Sequence, residues 1–142
     1  MPGKLTASEL REFLSLPEIG VLCTVDAQGR PEGSPVWFEY NDEKIYIHVD
    51  GTSKKARNVA ANPHVSLTLD TRVAPYKGAI LHGTVRMLPP DDGIRRSTAH
   101  HYLGADMGDA YLEMTADGFD STVLLEMTIT SRFTWDYAKS LV

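Results

Sequence analysis

Ser53, Lys54 and Lys55 stand together just after a strand-like run, Ile45 to Val49, and open a stretch of good helix formers, SKKARNVAAN, that stops at Asn62-Pro63. Ser53 is placed as an N-cap. A helix N-terminus presents unpaired N–H groups and a partial positive charge, so a hydroxyl and two ammonium groups in its first turn form an anion clamp suited to a phosphate. Cations at that end also oppose the macrodipole, by roughly a few tenths of a kcal/mol each. Functional sites tolerate such local inconsistencies. A solvated basic turn is the alternative reading of the same spacing.

A phosphate clamp gains purpose beside an apolar wall, and Val36, Trp37 and Phe38 lie close by in the chain. Such a wall could hold a flavin-like ring, with strand N–H and C=O groups meeting its polar edge. Alternate strand residues point opposite ways, so at least one of the three belongs to the core.

Other chemistries lack their residues. There is no GxSxG elbow, HExxH pair, Walker-type loop or GxGxxG motif, which argues against hydrolase, metalloprotease and nucleoside-triphosphatase readings. His100 and His101 are adjacent in a predicted helix and diverge, while His48, His64 and His82 sit singly among aliphatic residues. No metal site is expected. The one cysteine, Cys23, has no partner for a disulfide or a CxxC pair and reads as a packed, inert thiol in a strand.

The elements that position these residues follow from periodicity. Thr6 and Glu9 form a capping-box pattern ahead of Leu10, Phe13 and Leu14, so a short amphipathic helix comes first. Ile19 to Val25 and Pro31 to Tyr40 read as a hairpin around DAQGR, with Val36, Phe38 and Tyr40 on one side and Trp37 and Glu39 on the other. Ile45 to Val49 is added to make a meander. After the Ser53 helix come strands at Val65 to Leu69 and Gly78 to Leu88, the latter with Ala79, Leu81, Val85 and Met87 on one face. Pro89-Pro90 ends it, and helical segments follow from Asp91 to about Leu103 and over Asp109 to Thr115. Thr122 to Ile129 is a strand that Arg132 to Tyr137 either continues or pairs with.

Six or seven strands joined mostly by short turns point to a mainly β fold, an antiparallel barrel with peripheral helices. The 142 residues fit a single domain over 1–142. With 14 Lys+Arg against 19 Asp+Glu, the net charge of −5 supplies no basic stripe for nucleic acid. No apolar run approaches the roughly 18 residues of a membrane span, and MPGKLTASELREF does not read as a signal peptide. A cytoplasmic location without membrane attachment is expected. The unpaired edge strands of a small barrel favour pairing with a second subunit.

The order of these features resembles the pyridoxamine 5′-phosphate oxidase-like split β-barrel flavoproteins. The similarity runs through IGVLCTVDAQGRPEGSPVWFEY, IYIHVDGTSKKARNVAANPHVSLTLD, PYKGAILHGTVRML, HHYLG and FTWDY, nearly the whole chain. KARNVAANPHVSL, PYKG, HHYLG and TWDY in combination are most similar to the group that uses the deazaflavin coenzyme F420. The resemblance implies a homodimer with cofactor in clefts between two six- to seven-stranded split barrels of the FMN-binding type. Ser53, Lys54 and Lys55, with Asn58 in the same helix, match the phosphate-holding segment. Pro35, Val36, Trp37 and Phe38 match the strand along the tricyclic ring, Tyr76 and Lys77 a bordering loop, and Trp135 a residue reaching the site from the other subunit.

The chain also departs from the vitamin B6 oxidases, which carry arginine at the position of Ser34, lysine at that of Glu39 and an Arg-x-His pair near the C-terminus. Lys54-Lys55 lacks the bidentate fork suited to a dianionic terminal phosphate, whereas the singly charged phosphodiester of F420 needs fewer cations. The resemblance therefore implies an oxidoreductase in which F420 passes a hydride to a conjugated C=C or C=N bond of a small organic substrate. Two alternatives remain open: an FMN-binding oxidase or flavin reductase, and a non-catalytic carrier of flavin, F420 or haem with His48 or His82 as haem ligand. No obligatory side-chain acid is identified; Tyr76, Lys77 and His82 are candidates for proton delivery only if they line the cleft.

Overall fold

The computed structural model describes residues 2–139. Helix α1 (Ala7–Leu14) starts at the reciprocal cap that T-x-x-E predicts: the Glu9 N–H donates to the Thr6 hydroxyl at 3.2 Å and the Thr6 N–H to the Glu9 carboxylate at 2.8 Å. Leu10, Phe13 and Leu14 share its buried face. Strands β1 (Gly20–Val25) and β2 (Pro31–Val36) pair antiparallel around a turn set by Asp26. One oxygen of that carboxylate accepts from the N–H groups of Gln28 and Arg30, both at 2.9 Å, and Gly29 adopts a φ of 79° that favours glycine.

Strands β3 (Glu39–Asn41) and β4 (Lys44–Asp50) form a second hairpin, closed by Asp42 and Glu43, both at positive φ as a two-residue turn of this hand requires. Helix α2 (Lys54–Ala61) follows. Strands β5 (His64–Asp70) and β6 (Lys77–Leu88), helices α3 (Asp92–Leu103) and α4 (Ala105–Met114), a 3-10 turn over Ala116–Ser121, and strand β7 (Thr122–Asp136) complete the order. The Arg132 segment thus continues β7 without interruption. Helix α4 begins at Ala105, four residues before the predicted Asp109.

All seven strands join one antiparallel sheet in the order β2-β1-β5-β6-β7-β4-β3. This corrects the meander. The two early hairpins form, yet β1 takes β5 on its other side and β4 takes β7, which leaves β2 and β3 as the two edges. The predicted strand Pro31 to Tyr40 is broken at Trp37-Phe38. Three Cα steps separate the broken ends, a reach of about 11 Å, so the sheet must roll until its edges approach. The result is a curled, split barrel.

The interior is filled by Phe13, Leu22, Phe38, Ile45, Ile47, Leu67, Leu69, Leu81, Leu125 and Met127, all almost fully buried. Each contributes roughly 1.5–3 kcal/mol by leaving water. Ala79, Leu81 and Val85 point inward as their alternation predicts, whereas Met87, nearer the end of β6, is exposed. The register of β6 against β7 shifts after His82, and a Cβ at Gly83 would lie 2.1 Å from the Thr128 carbonyl oxygen. Only glycine fits that bulge. Among the described residues no helix is long and apolar enough to cross a membrane.

Candidate functional site

The first turn of α2 is divided in its loyalties. Ser53 caps the helix by accepting from the Ala56 N–H at 3.2 Å, and its own hydrogen goes to the Asp50 carbonyl at 2.6 Å. Lys54 forms an ion pair with Glu32 of β2. Lys55 turns the other way, to the Ser34 hydroxyl at 3.3 Å, and its charge is felt by the Asp50 carboxylate, which borders the same cavity. Asn58 is buried and donates to the Thr24 hydroxyl at 3.0 Å, tying α2 to β1.

Lys55 lines a cavity of about 300 Å³ together with Pro35, Val36, Trp37, His48 and Thr98. That size is at the lower end for small-molecule sites. Of the sequence-predicted residues it brings together Pro35, Val36, Trp37 and Lys55. Ser53, Lys54 and Asn58 stand beside it with their side chains committed elsewhere. Phe38 is 1% exposed and belongs to the core. Tyr76, Lys77 and Trp135 line another part of the molecule: Lys77 pairs with Asp136 and Trp135 with Gly78 across β6 and β7. The Lys77 ammonium lies over the Phe13 ring, 5.1 Å from its centroid.

Helices α3 and α4 build the opposite wall, which the sequence reading did not assign to the site. Tyr102 stacks on Trp37 with centroids 5.1 Å apart and planes 6° from parallel, and Tyr111 approaches the same indole at 5.1 Å. The Tyr102 hydroxyl donates to the Glu18 carbonyl at 2.8 Å and accepts the Phe38 N–H at 3.1 Å. Burial pushes its phenol above the ordinary range. The break between β2 and β3 is thus held by a side chain from a distant helix. Arg95, Thr98 and Tyr102 recur at i, i+3 and i+7, a single face of α3. That spacing was the available signal.

Arg95 is mostly buried and fixed from three sides. It donates to the Leu112 carbonyl at 2.6 Å and the Thr115 hydroxyl at 3.0 Å, and lies 5.1 Å from the Phe119 ring centroid. His48 accepts the Asp91 N–H on Nε2 at 3.1 Å, and burial lowers its pKa. The imidazole is therefore held neutral near pH 7. His82, by contrast, is exposed on the outer face of β6. Among the described residues no group of three His, Cys, Asp or Glu side chains could hold a metal ion.

A family model described as pyridoxamine 5′-phosphate oxidase matches residues 6–136. The 5a,11a-dehydrotetracycline/5a,11a-dehydrooxytetracycline reductase of Streptomyces rimosus is 34% identical over 92 residues, which is 59% of this chain and 65% of the reductase. The match thus spans slightly less than two thirds of that relative. A conserved hypothetical protein of Mycobacterium tuberculosis superposes with a TM-score of 0.82 at 21% identity, covering 95% of this chain and 87% of the other. A protein described as an F420 reductase superposes with a TM-score of 0.66, also at 21% identity, covering 87% and 94%. These structural likenesses establish the split-barrel fold.

Proposed function

The chain belongs to the pyridoxamine 5′-phosphate oxidase family, and from that premise we propose that it is an oxidoreductase holding a flavin-type cofactor, coenzyme F420, along the cavity between Trp37 and Lys55. The observation that carries this reading is the joining of Lys55 with Trp37, Val36 and Pro35 in one cavity. β2 is an edge strand, so the backbone groups on its free side are available to the polar rim of a ring. Lys55, held by the Ser34 hydroxyl and attracted by the charge of Asp50, is the cation for a phosphate. Ser53 and Lys54 are engaged and Arg95 is matched by Asp92, which leaves Lys55 as the cation of the first turn of α2: enough for a phosphodiester and poor for the dianionic end of FMN. The kinship with a tetracycline-type reductase supports the oxidoreductase class.

When bound, the reduced cofactor supplies a hydride. The chain's own part is to bind and orient: Lys55 anchors the phosphate, the β2 edge and Val36 carry the ring, and the aromatic wall of Trp37, Tyr102 and Tyr111 keeps water out. The substrate is a small organic acceptor.

A homodimer completes the proposal. Pro35, Val21, Thr68, Ile80 and Phe133 stand in one cross-strand row on the outer face of the sheet. Pro35 also lines the cavity. A second copy seated on that face would abut the cavity rim, and its Tyr76 and Trp135 could then reach a site from which they are absent in their own chain.

Parallel titration of the full chain with F420 and with FMN, followed by fluorescence, tests the reading. F420 is expected to bind more tightly, and Lys55→Ala to weaken it by about 1–3 kcal/mol through loss of a charge-assisted bond. Tighter FMN binding, with protein that purifies yellow, would favour an FMN-dependent oxidase or reductase. Unchanged affinity in the Lys55 variant would remove the assigned pocket.

A further inference from the structure

The chain has eight arginines, and six of them are committed. Arg30 pairs with Asp26, Arg72 with Asp70, Arg86 with Glu126, and Arg95 and Arg96 with Asp92, while Arg57 donates to the Thr52 carbonyl at 2.6 Å. The other two, Arg11 and Arg132, make no ion pair or side-chain hydrogen bond among the described residues. Both line one cavity of about 120 Å³, together with Leu10, Tyr40, Glu43 and Ser131.

This cavity lies where the barrel is split. β4 pairs with β7 only as far as Thr128, and beyond that point α1 and the turn of the β3–β4 hairpin stand opposite β7. Leu22, Leu67 and Leu81 form a cross-strand row on the inner face of the sheet, each 0% exposed, and Arg132 is the next member of that row. Alternation calls for an apolar residue at such a position. A cation stands there instead, at the open seam.

Both guanidinium charges are felt at one oxygen. Burial, then Glu43, push the Tyr40 phenol above its ordinary range, and Arg11 and Arg132 pull it back. Glu43 is the one carboxylate among the lining residues and accepts from that phenol, so the space keeps a net positive charge. Two like charges around one space repel each other, and an anion between them replaces repulsion with attraction.

The donors specify the anion's class. A carboxylate has two oxygens and satisfies one guanidinium fork, whereas two forks arriving from different elements call for a group with at least three. A phosphoryl group has them. The space is well below the roughly 300 Å³ at which small-molecule sites begin, so it admits such a group and no ring system.

We propose that the seam between α1 and β7 is an oxyanion site in which Arg11 and Arg132 hold a phosphoryl group, either free phosphate or the phosphate of a small ester. None of its residues lines the cavity that contains Trp37 and Lys55, so the site is independent of the cofactor reading.

The test is calorimetric titration of the full chain at constant ionic strength, in the Lys55→Ala background so that the first turn of α2 does not contribute. Inorganic phosphate, glycerol 3-phosphate and acetate are the probes. Phosphate is expected to bind saturably and more tightly than acetate. Arg132→Leu continues the leucine row and Arg11→Gln changes an exposed helix position, so the second variant remains informative if the first fails to fold. Each is expected to weaken phosphate about 10-fold or more. Binding of glycerol 3-phosphate as tight as that of phosphate would identify a small ester as the ligand, and binding of phosphate alone would identify the free ion. No saturable phosphate binding, a preference for acetate, or unchanged affinity in Arg11→Gln would overturn the proposal.

Discussion

A hydroxyl buried without a partner costs roughly 1–3 kcal/mol, and Thr98 carries that cost. Valine has the same shape without the polar atom, so Thr98→Val is expected to raise stability by about 1–2 kcal/mol, read as a higher urea midpoint at unchanged m-value. A lower midpoint would mean that the hydroxyl is already satisfied. At this scale the sequence was only partly legible. The spacing of Lys54 and Lys55 marks both as clamp residues, but Glu32, which forms an ion pair with Lys54, lies on another strand. Asn58 likewise reads as a site residue, while the structure shows its amide donating to Thr24 of β1. Local spacing records neither distant partner.

Elements whose signals are local were legible, and those shaped by distant contacts were not. The T-x-x-E box located α1, and Ser53 located α2, because capping involves residues three apart. The break at Trp37-Phe38 depends on Tyr102, which captures the Phe38 N–H from 64 residues away; alternation alone therefore extended one strand through it. The α1 cap also makes a pH dependence. The Lys139 hydrogen bond, then the Thr6 N–H, lower the Glu9 pKa from 4.5 to about 2. Because the folded value is the lower one, its stabilisation is complete above pH 4.5 and is lost as pH falls towards 2. Glu9→Gln keeps an acceptor for Thr6 but cannot ionise. The wild-type Tm is expected to fall more steeply than that of the variant between pH 4.5 and 2; parallel curves would mean the Glu9 charge is not felt by the fold.

At the scale of the whole molecule, the barrel separates two surfaces with different tasks. One side, over β2, β4 and the helices, holds the cavity with Trp37 and Lys55; elsewhere Val73, Tyr76 and Phe133 are exposed, with Trp135 partly buried beside Phe133. Alternation makes every second residue of β6 and β7 face outward, and there it places Ile80 and Phe133 side by side instead of polar groups. Phe133 is 60% exposed, an arrangement that a soluble monomer usually avoids and an interface uses. The proposed dimer therefore has a decisive substitution. Phe133→Glu puts a charge at the exposed end of the cross-strand row without disturbing the inward-facing core, so thermal unfolding should change little. Sedimentation is expected to report a dimer for the wild type and a monomer for the variant, with F420 affinity falling as the partner's contribution is lost. A variant that stays dimeric would move the interface elsewhere. A monomeric variant that binds F420 unchanged would mean the cavity is complete within one chain, and Tyr76 and Trp135 would then leave the cofactor site altogether.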